Sequence, residues 1–229
     1  MTWPPTNNFD NFITKLLSGS LPNYDPKDLE ANNSENTRYA GHCLLWSKTN
    51  LVFKTRIQDI PMRALFMMQL RFDGKFGYPG GFIDPGESIV EGVNREMNEE
   101  VSIDLNEVSV TEKDFVFSVE QEQKDEKFGQ KFAKLKLYFF VKEIDEATFN
   151  KIETNSRNAE HFGTENLGVV RAPLHRWKES DGFPKFLTNA FAGTGKAQLL
   201  MALYKTQIMT EDEIIQAYQL HHQQEYNLN

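Results

Sequence analysis

The sequence predicts a mixed β-sheet covered by helices, α/β or α+β in class, and three observations carry that prediction. Apolar runs short enough for buried strands occur before and after a glycine-rich turn, the turn leads into one strongly patterned helix, and three further helical patterns close the chain. At 229 residues, 39% hydrophobic and 12% aromatic, the chain can bury one substantial core, which fits one elaborated domain. Residues 1–37 are expected to form an N-terminal helix and a polar loop, and residues 38–229 the folded domain with its C-terminal helices.

Taken in order, Phe9, Phe12, Ile13, Leu16 and Leu17 recur at helical intervals over residues 8–18, and a loop carrying prolines and asparagines follows. "AGHCLLWS", ending near Lys48, and "MRALFMMQLRF", ending near Phe72, read as buried strands. "DGKFGYPGGFIDPGES" is turn chemistry throughout, with Gly74, Gly77, Gly80, Gly81, Pro85 and Gly86, and a helix from about Ser88 to Val101 begins where it ends. Two strands, "DFVFSVEQEQ" and "AKLKLYFFVKEI", flank the charged hairpin turn "KDEKFG". A short helix at "DEATFNKIE" and a strand at "NLGVVRAPL" come next. Helical spacing then marks "FPKFLTNAF", "KAQLLMALYKT" and "TEDEIIQAYQLHHQQEY", the last opening with a capping pattern from Thr210 to Glu213.

Composition narrows the function classes. The 33 acidic and 25 basic residues give a net charge of -8, which opposes non-specific attraction to a polyanion while leaving a local basic groove open. A single cysteine, Cys43, excludes an internal disulfide framework and a cysteine-rich zinc site, and suits a reducing compartment. With no basic, apolar leader and no run approaching the roughly 18 apolar residues of a membrane span, the chain is expected to be soluble, without a membrane partner, in cytosol or nucleus.

The patterned helix carries the chemistry. Ile89, Val90, Val93, Met97 and Val101 gather on one arc, and Glu96, Glu99 and Glu100 sit beside it, so at least one carboxylate is drawn towards burial. Arg95 is placed to offset part of the charge on Glu87, Glu91 or Glu99, but one cation cannot balance five acids. Hard divalent cations can, because Mg²⁺ and Mn²⁺ prefer carboxylate oxygens and are commonly completed by substrate phosphates. Gly80 and Gly81 allow close backbone approach near the start of the helix, where an anion is favoured. These residues alone lead to a divalent-metal site that handles phosphates.

Gly81, Glu87, Arg95, Glu96, Met97, Glu99, Glu100 and Ile103 fall on the nudix box, G-x5-E-x7-R-E-U-x-E-E-x-G-U with U apolar, and the stretch resembles it at every fixed position but the last glycine, where Ser102 stands. That departure lies in the turn ending the helix, where glycine usually takes a left-handed conformation, so its cost falls on stability rather than chemistry. The resemblance implies a nudix αβα sandwich and Mg²⁺- or Mn²⁺-dependent hydrolysis of a nucleoside diphosphate linked to another group. It also implies that Glu96, Glu99 and Glu100 are catalytic metal ligands, one of them activating water, and that the Gly80 carbonyl completes the shell. Glu87 and Arg95 would hold the loop, with Gly81, against the helix.

"MMQLRFDGKFGYPGGFID" and "GFPKFLTNAFAGTGKAQLL" resemble the snoRNA-decapping, inosine-diphosphatase branch of the nudix hydrolases, over roughly residues 38–205. That likeness implies capped snoRNA or mRNA and inosine diphosphate or its deoxy form as substrates, a homodimer, and residence in the nucleus and cytoplasm. By it His42 would contact the purine or its sugar, Arg71 the phosphate, Tyr78 and Phe82 the base pocket, and Gln198 the base edge. An extra acid or histidine near the metals would come from Glu160, His161 or Glu165. Singly, His42 also reads as a core histidine, Tyr78 and Phe82 as packing residues, Gln198 as an exposed helix residue, and Arg71 as a partner of Asp73. Two other readings stay open: a hydrolase of free nucleotide derivatives such as NAD or ADP-ribose, and a catalytically silent RNA-binding or scaffold relative. The intact acids argue against the second.

Overall fold

The computed structural model describes Leu29, residues 37–122, 134–177 and 181–226. The expected helix over residues 8–18, most of the loop after it and the charged turn at 124–129 lie outside the described residues. The strands are β1 (Thr37–Lys48), β2 (Val52–Lys54), β3 (Asp59–Pro61), β4 (Ala64–Arg71), β5 (Phe76–Gly77), β6 (Gly80–Phe82), β7 (Phe115–Glu122), β8 (Lys134–Glu143), β9 (Asn166–Arg171), β10 (Arg176–Trp177) and β11 (Asp181–Gly182). The helices are α1 (Ile89–Val101), α2 (Glu146–Asn155), α3 (Phe183–Phe186), α4 (Gly195–Lys205) and α5 (Glu211–Tyr226).

The result is the expected mixed sheet flanked by helices. Seven strands run in the order β5-β4-β1-β8-β7, with β6 added to β1 and β9 to β4. β1 and β8 pair in parallel from Thr37 opposite Lys134 to Trp46 opposite Glu143, and the other pairs of this sheet are antiparallel. The second edge of β1 is divided: Ala40, Gly41 and His42 face β6, while Trp46, Ser47 and Lys48 face β4. Between those pairings the Cys43 N–H donates to the Pro79 carbonyl at 2.9 Å, so the glycine loop is stitched directly to the central strand.

α1 forms where its spacing predicts. Ser88 caps it, accepting from the Glu91 N–H, and the Glu91 carboxylate accepts from the Ser88 N–H at 2.8 Å. Ile89, Val93, Met97 and Val101 are buried against the sheet, each worth about 1.5–3 kcal/mol in removed apolar surface. At the other end Ser102 takes the left-handed conformation, φ 56° and ψ 44°, that the missing glycine would supply, and its N–H closes on the Asn98 carbonyl. α5 carries the expected cap, with Thr210 and Glu213 hydrogen-bonded reciprocally.

Three differences from the sequence reading have local causes. The glycine loop contains the short strands β5 and β6, since backbone pairing with β4 and β1 overrides its turn composition. The "FPKFLTNAF" helix stops at Phe186, because the Ala190 carbonyl and Ala192 N–H pair instead with Phe76. The hairpin of β2 and β3 lacks a strong apolar alternation: Val52 and Phe53 are exposed and Ile60 is its buried anchor. One buried cluster runs from Cys43 on β1 to Tyr218 on α5, drawing the sheet and the C-terminal helices into a shared core.

Candidate active site

α1 lays its acids against the glycine loop, and Arg95 organises them. Its Nε donates to Glu87 Oε1 at 2.8 Å and its Nη2 to Glu87 Oε2 at 3.1 Å, a two-pronged contact that keeps the Glu87 carboxyl below its usual range. Nη1 donates to Glu96 Oε1 at 3.0 Å and to Glu99 Oε2 at 2.9 Å, and Nη2 also reaches the Phe82 carbonyl at 3.0 Å. Arg95 thus ties loop, β6 and helix together. Glu91 is not its partner, being engaged in capping Ser88.

Glu100 lies beyond that arginine's reach and is 1% exposed. Its Oε2 accepts from the Gly80 N–H at 2.7 Å and from Gln69 Nε2 at 3.1 Å. Burial pushes its carboxyl up to about 7 despite those two hydrogen bonds, and the charges of Glu96 and Glu165 push the same way. Burial likewise raises Glu96, against Arg95, with Glu99 and Glu165 adding to the rise. Gln69 was not legible as a site residue, although a glutamine inside the apolar run "MMQLR" was a signal: it is fully buried, also donates to the Tyr78 carbonyl at 3.3 Å, and leaves its Oε1 without a partner.

A pH effect follows. Glu100 binds its proton more tightly folded than unfolded, so its stabilisation is complete below about 4.5 and is lost as pH rises through about 7. His42 has the opposite sign, its folded pKa lying at about 4 against 6.5, so it costs stability as pH falls through that interval. The difference between wild type and Glu100→Gln isolates the glutamate: in chelator, denaturant unfolding should show wild type losing roughly 3 kcal/mol relative to the variant between pH 4.5 and 7.5. A pH-independent difference would remove the strained carboxylate.

Gly81 shows how closely the acids are packed. A Cβ there would lie 2.6 Å from Glu96 Oε1 and 2.7 Å from Oε2, so the carboxylate rests on the glycine backbone. Yet among the described residues no three His, Cys, Asp or Glu side chains converge as a metal-binding group. The acids are instead engaged with protein groups: Arg95 binds Glu96 and Glu99, and Glu100 turns to Gly80 and Gln69. The Gly80 N–H, for its part, is bound to Glu100. In chemistry the donors still fit a hard divalent cation, being carboxylates whose desolvated charge one guanidinium only partly offsets.

The loop before β9 docks on the end of α1. The His161 N–H donates to the Glu99 carbonyl at 2.9 Å and Asn166 Nδ2 to the Glu100 carbonyl at 2.7 Å, capping backbone groups that a helix end leaves open. Asn166 is a second position beside the acids to which the sequence did not point. The same loop brings the Glu165 charge to Glu96 and Glu100, while Glu160 is exposed.

Two of the remaining expected residues, His42 on β1 and Phe82 on β6, lie on the face of those strands turned away from α1. A Cβ on Gly41 would run into Val93 of α1, and side chains alternate along a strand, so His42 points away from α1. His42 is half-buried, its Nδ1 enclosed without a partner, and burial together with the nearby Arg71 charge keeps it neutral. Arg71 lies across Gly77, 3.6 Å from Asp73. Tyr78 corrects the sequence reading. It is 2% exposed, stacks edge-on against Phe139 at 5.0 Å, and donates its hydroxyl to the Gly195 carbonyl at 2.9 Å, so it anchors α4 and offers no open face to a base. Phe82 is 40% exposed beside the Arg38 guanidinium. Gln198 is buried rather than on an exposed helix face, one turn after the Gly195 that Tyr78 holds.

A family model described as "Nudt16-like: U8 snoRNA-decapping enzyme-like" matches residues 39–209. The chain is 33% identical over 206 residues to the U8 snoRNA-decapping enzyme of Xenopus laevis, covering 88% of this chain and 92% of that one. It is 34% identical over 160 residues to the Tudor-interacting repair regulator protein of Homo sapiens, covering 69% and 70%. Among solved structures, a MutT/nudix family protein from Enterococcus faecalis aligns with a TM-score of 0.47 at 14% identity, covering 96% of this chain and 80% of that one.

Proposed function

The chain belongs to the Nudt16-like family of nudix hydrolases, described as U8 snoRNA-decapping enzyme-like, and from that premise we propose a metal-dependent pyrophosphohydrolase that removes 5' caps from snoRNA or mRNA. On the same reading it also takes inosine diphosphate and deoxyinosine diphosphate to their monophosphates, and works as a homodimer in nucleus and cytoplasm. The observation that carries the enzymatic reading is Glu100, buried with a carboxyl raised to about 7 beside Glu96 and Glu99 on an intact glycine loop. Relatives named as a decapping enzyme and as a repair regulator are equally similar in identity, and a silent relative has no need of that costly carboxylate.

Glu96, Glu99, Glu100 and the Gly80 carbonyl would hold Mg²⁺ or Mn²⁺, which supplies charge neutralisation on the phosphates and a more acidic water. Glu100 spends Oε2 on Gly80 and Gln69, which leaves Oε1 to take the proton of the attacking water. The water oxygen bonds to phosphorus, the bridging P–O bond breaks in line, and the leaving phosphate departs with those electrons. Arg95 keeps Glu96 and Glu99 facing the loop. The neutral His42 imidazole hydrogen-bonds the purine nucleoside, Arg71 meets its phosphate, Phe82 lines the base pocket and Gln198 reads the base edge.

A turnover screen in Mg²⁺ and Mn²⁺ with methylguanosine-capped RNA, NAD-capped RNA, inosine diphosphate and ADP-ribose tests this. Release from capped RNA and inosine diphosphate is expected. Release from free nucleotides alone supports the second reading, which the net charge of -8 favours, and no release from any sinks both. Gln198→Ala is expected to lower the preference for inosine over adenosine diphosphate several-fold, and an unchanged ratio of kcat/KM values takes Gln198 out of the pocket.

A further inference from the structure

Arg38 stands apart from the other site residues. Among the described residues no carboxylate pairs with it, although the chain is acidic, and its Nε is enclosed without a hydrogen-bond partner. Its guanidinium lies 5.0 Å from the ring centroid of Phe82, the partly exposed aromatic on β6. Phe82 sits opposite Ala40, and Gly80 opposite His42. Since Gly41 faces α1, residues 38, 40 and 42 all face the other way, so Arg38 and His42 occupy one face of β1 about 13 Å apart, with only the methyl of Ala40 between them. The Arg71 charge also acts on His42. The row therefore has the proposed nucleoside contacts at one end and, at the other, a cation beside an aromatic ring with no carboxylate partner among the described residues.

We propose that Arg38, placed over the Phe82 ring, binds a phosphodiester of the RNA chain downstream of the 5' end engaged at His42 and Arg71. A guanidinium suits this: it stays charged, the aromatic ring beside it holds it in place, and with Nε enclosed its two Nη groups can grip a phosphate in two prongs. A free nucleoside diphosphate, with its phosphates taken by Arg71 and the acids, has no further phosphodiester to offer it. Arg38 thereby separates capped RNA from free nucleotides as substrates, and supplies the local cation that the overall charge does not. The inference rests on the decapping reading for its substrate, and concerns a residue outside the metal and base machinery.

The test compares wild type, Arg38→Gln and Arg38→Lys on a short capped RNA and on inosine diphosphate across a range of salt, after their melting temperatures are shown to match. Arg38→Gln is expected to raise KM for capped RNA several-fold with kcat unchanged, and to reduce the slope of log affinity against log salt by about 0.7. Arg38→Lys, which keeps the charge and loses the planar fork, falls between. Inosine diphosphate kinetics stay at wild-type values. Binding of the same RNA bearing a 5'-monophosphate, followed by fluorescence anisotropy, reports the contact without turnover. If wild type cleaves capped RNA and Arg38→Gln keeps its KM and salt slope, the Arg38 proposal is overturned and the decapping reading stands. If wild type fails to cleave but binds the RNA with an Arg38-dependent slope, the decapping reading falls and the contact stands. Equal losses on both substrates also overturn it, because Arg38 would then be structural.

Discussion

Glu100→Gln is expected to reduce Mn²⁺-dependent release of phosphate from inosine diphosphate by about 10²–10⁴-fold, the range of a lost proton acceptor, while leaving the protein folded. The change conserves shape: the side-chain carbonyl of glutamine still accepts from the Gly80 N–H, and the site loses only a charge that burial opposes. A mutation that abolishes chemistry should therefore make the metal-free protein more stable near neutral pH. Few structural roles predict that pair of outcomes together. Glu99→Gln should lose activity comparably with little effect on stability, since Glu99 is more exposed and already held by Arg95. Full activity in both variants would sink the assignment of the acids.

Gly80→Ala should cost at least about 3 kcal/mol, a fall in melting temperature of roughly 6–12 °C for a chain of this size. Two effects add. The residue has φ 139°, a region L side chains rarely adopt, and a Cβ would lie 2.1 Å from the Gly41 carbonyl oxygen and 2.6 Å from His42 Cα. Neither backbone atom can yield, because β1 is paired with β8 on its far side. Gly86→Ala is the control: its φ is 94°, but nothing lies within 4 Å of an added Cβ, so only conformational strain remains. Equal losses in the two variants would mean that close strand approach does not matter at Gly80. Activity should fall with stability in Gly80→Ala, since the same N–H orients Glu100.

Much of this was legible because it is local. The i, i+4 spacing of Ile89, Val93, Met97 and Val101 fixes the buried arc of α1, and the position of Glu100 at its edge already implied a desolvated carboxylate. The end of the glycine-rich turn placed the helix start near Ser88, and the left-handed turn at Ser102 forms even though the favoured glycine is absent. The fixed positions from Gly81 to Ile103 led directly to the family.

What the sequence by itself determined, then, was the set of periodicities and the identity of the acids, since residues within a turn or two of one another are constrained by backbone geometry alone. Only the tertiary structure decided what those groups face. Arg95 could have served any of three neighbouring glutamates until the glycine loop folded over it, and Glu91 was taken by the cap. Gln69, Asn166 and Glu165 reach α1 from strands and loops far along the chain, and Tyr78 is a core anchor only because α4 presents Gly195 to its hydroxyl. The two faces of β1 and β6, acids on one and His42 and Arg38 on the other, are set by the register of β1 against β6 and β8. A shift of one residue would exchange them, and register is settled by packing over the whole sheet rather than by any segment of it.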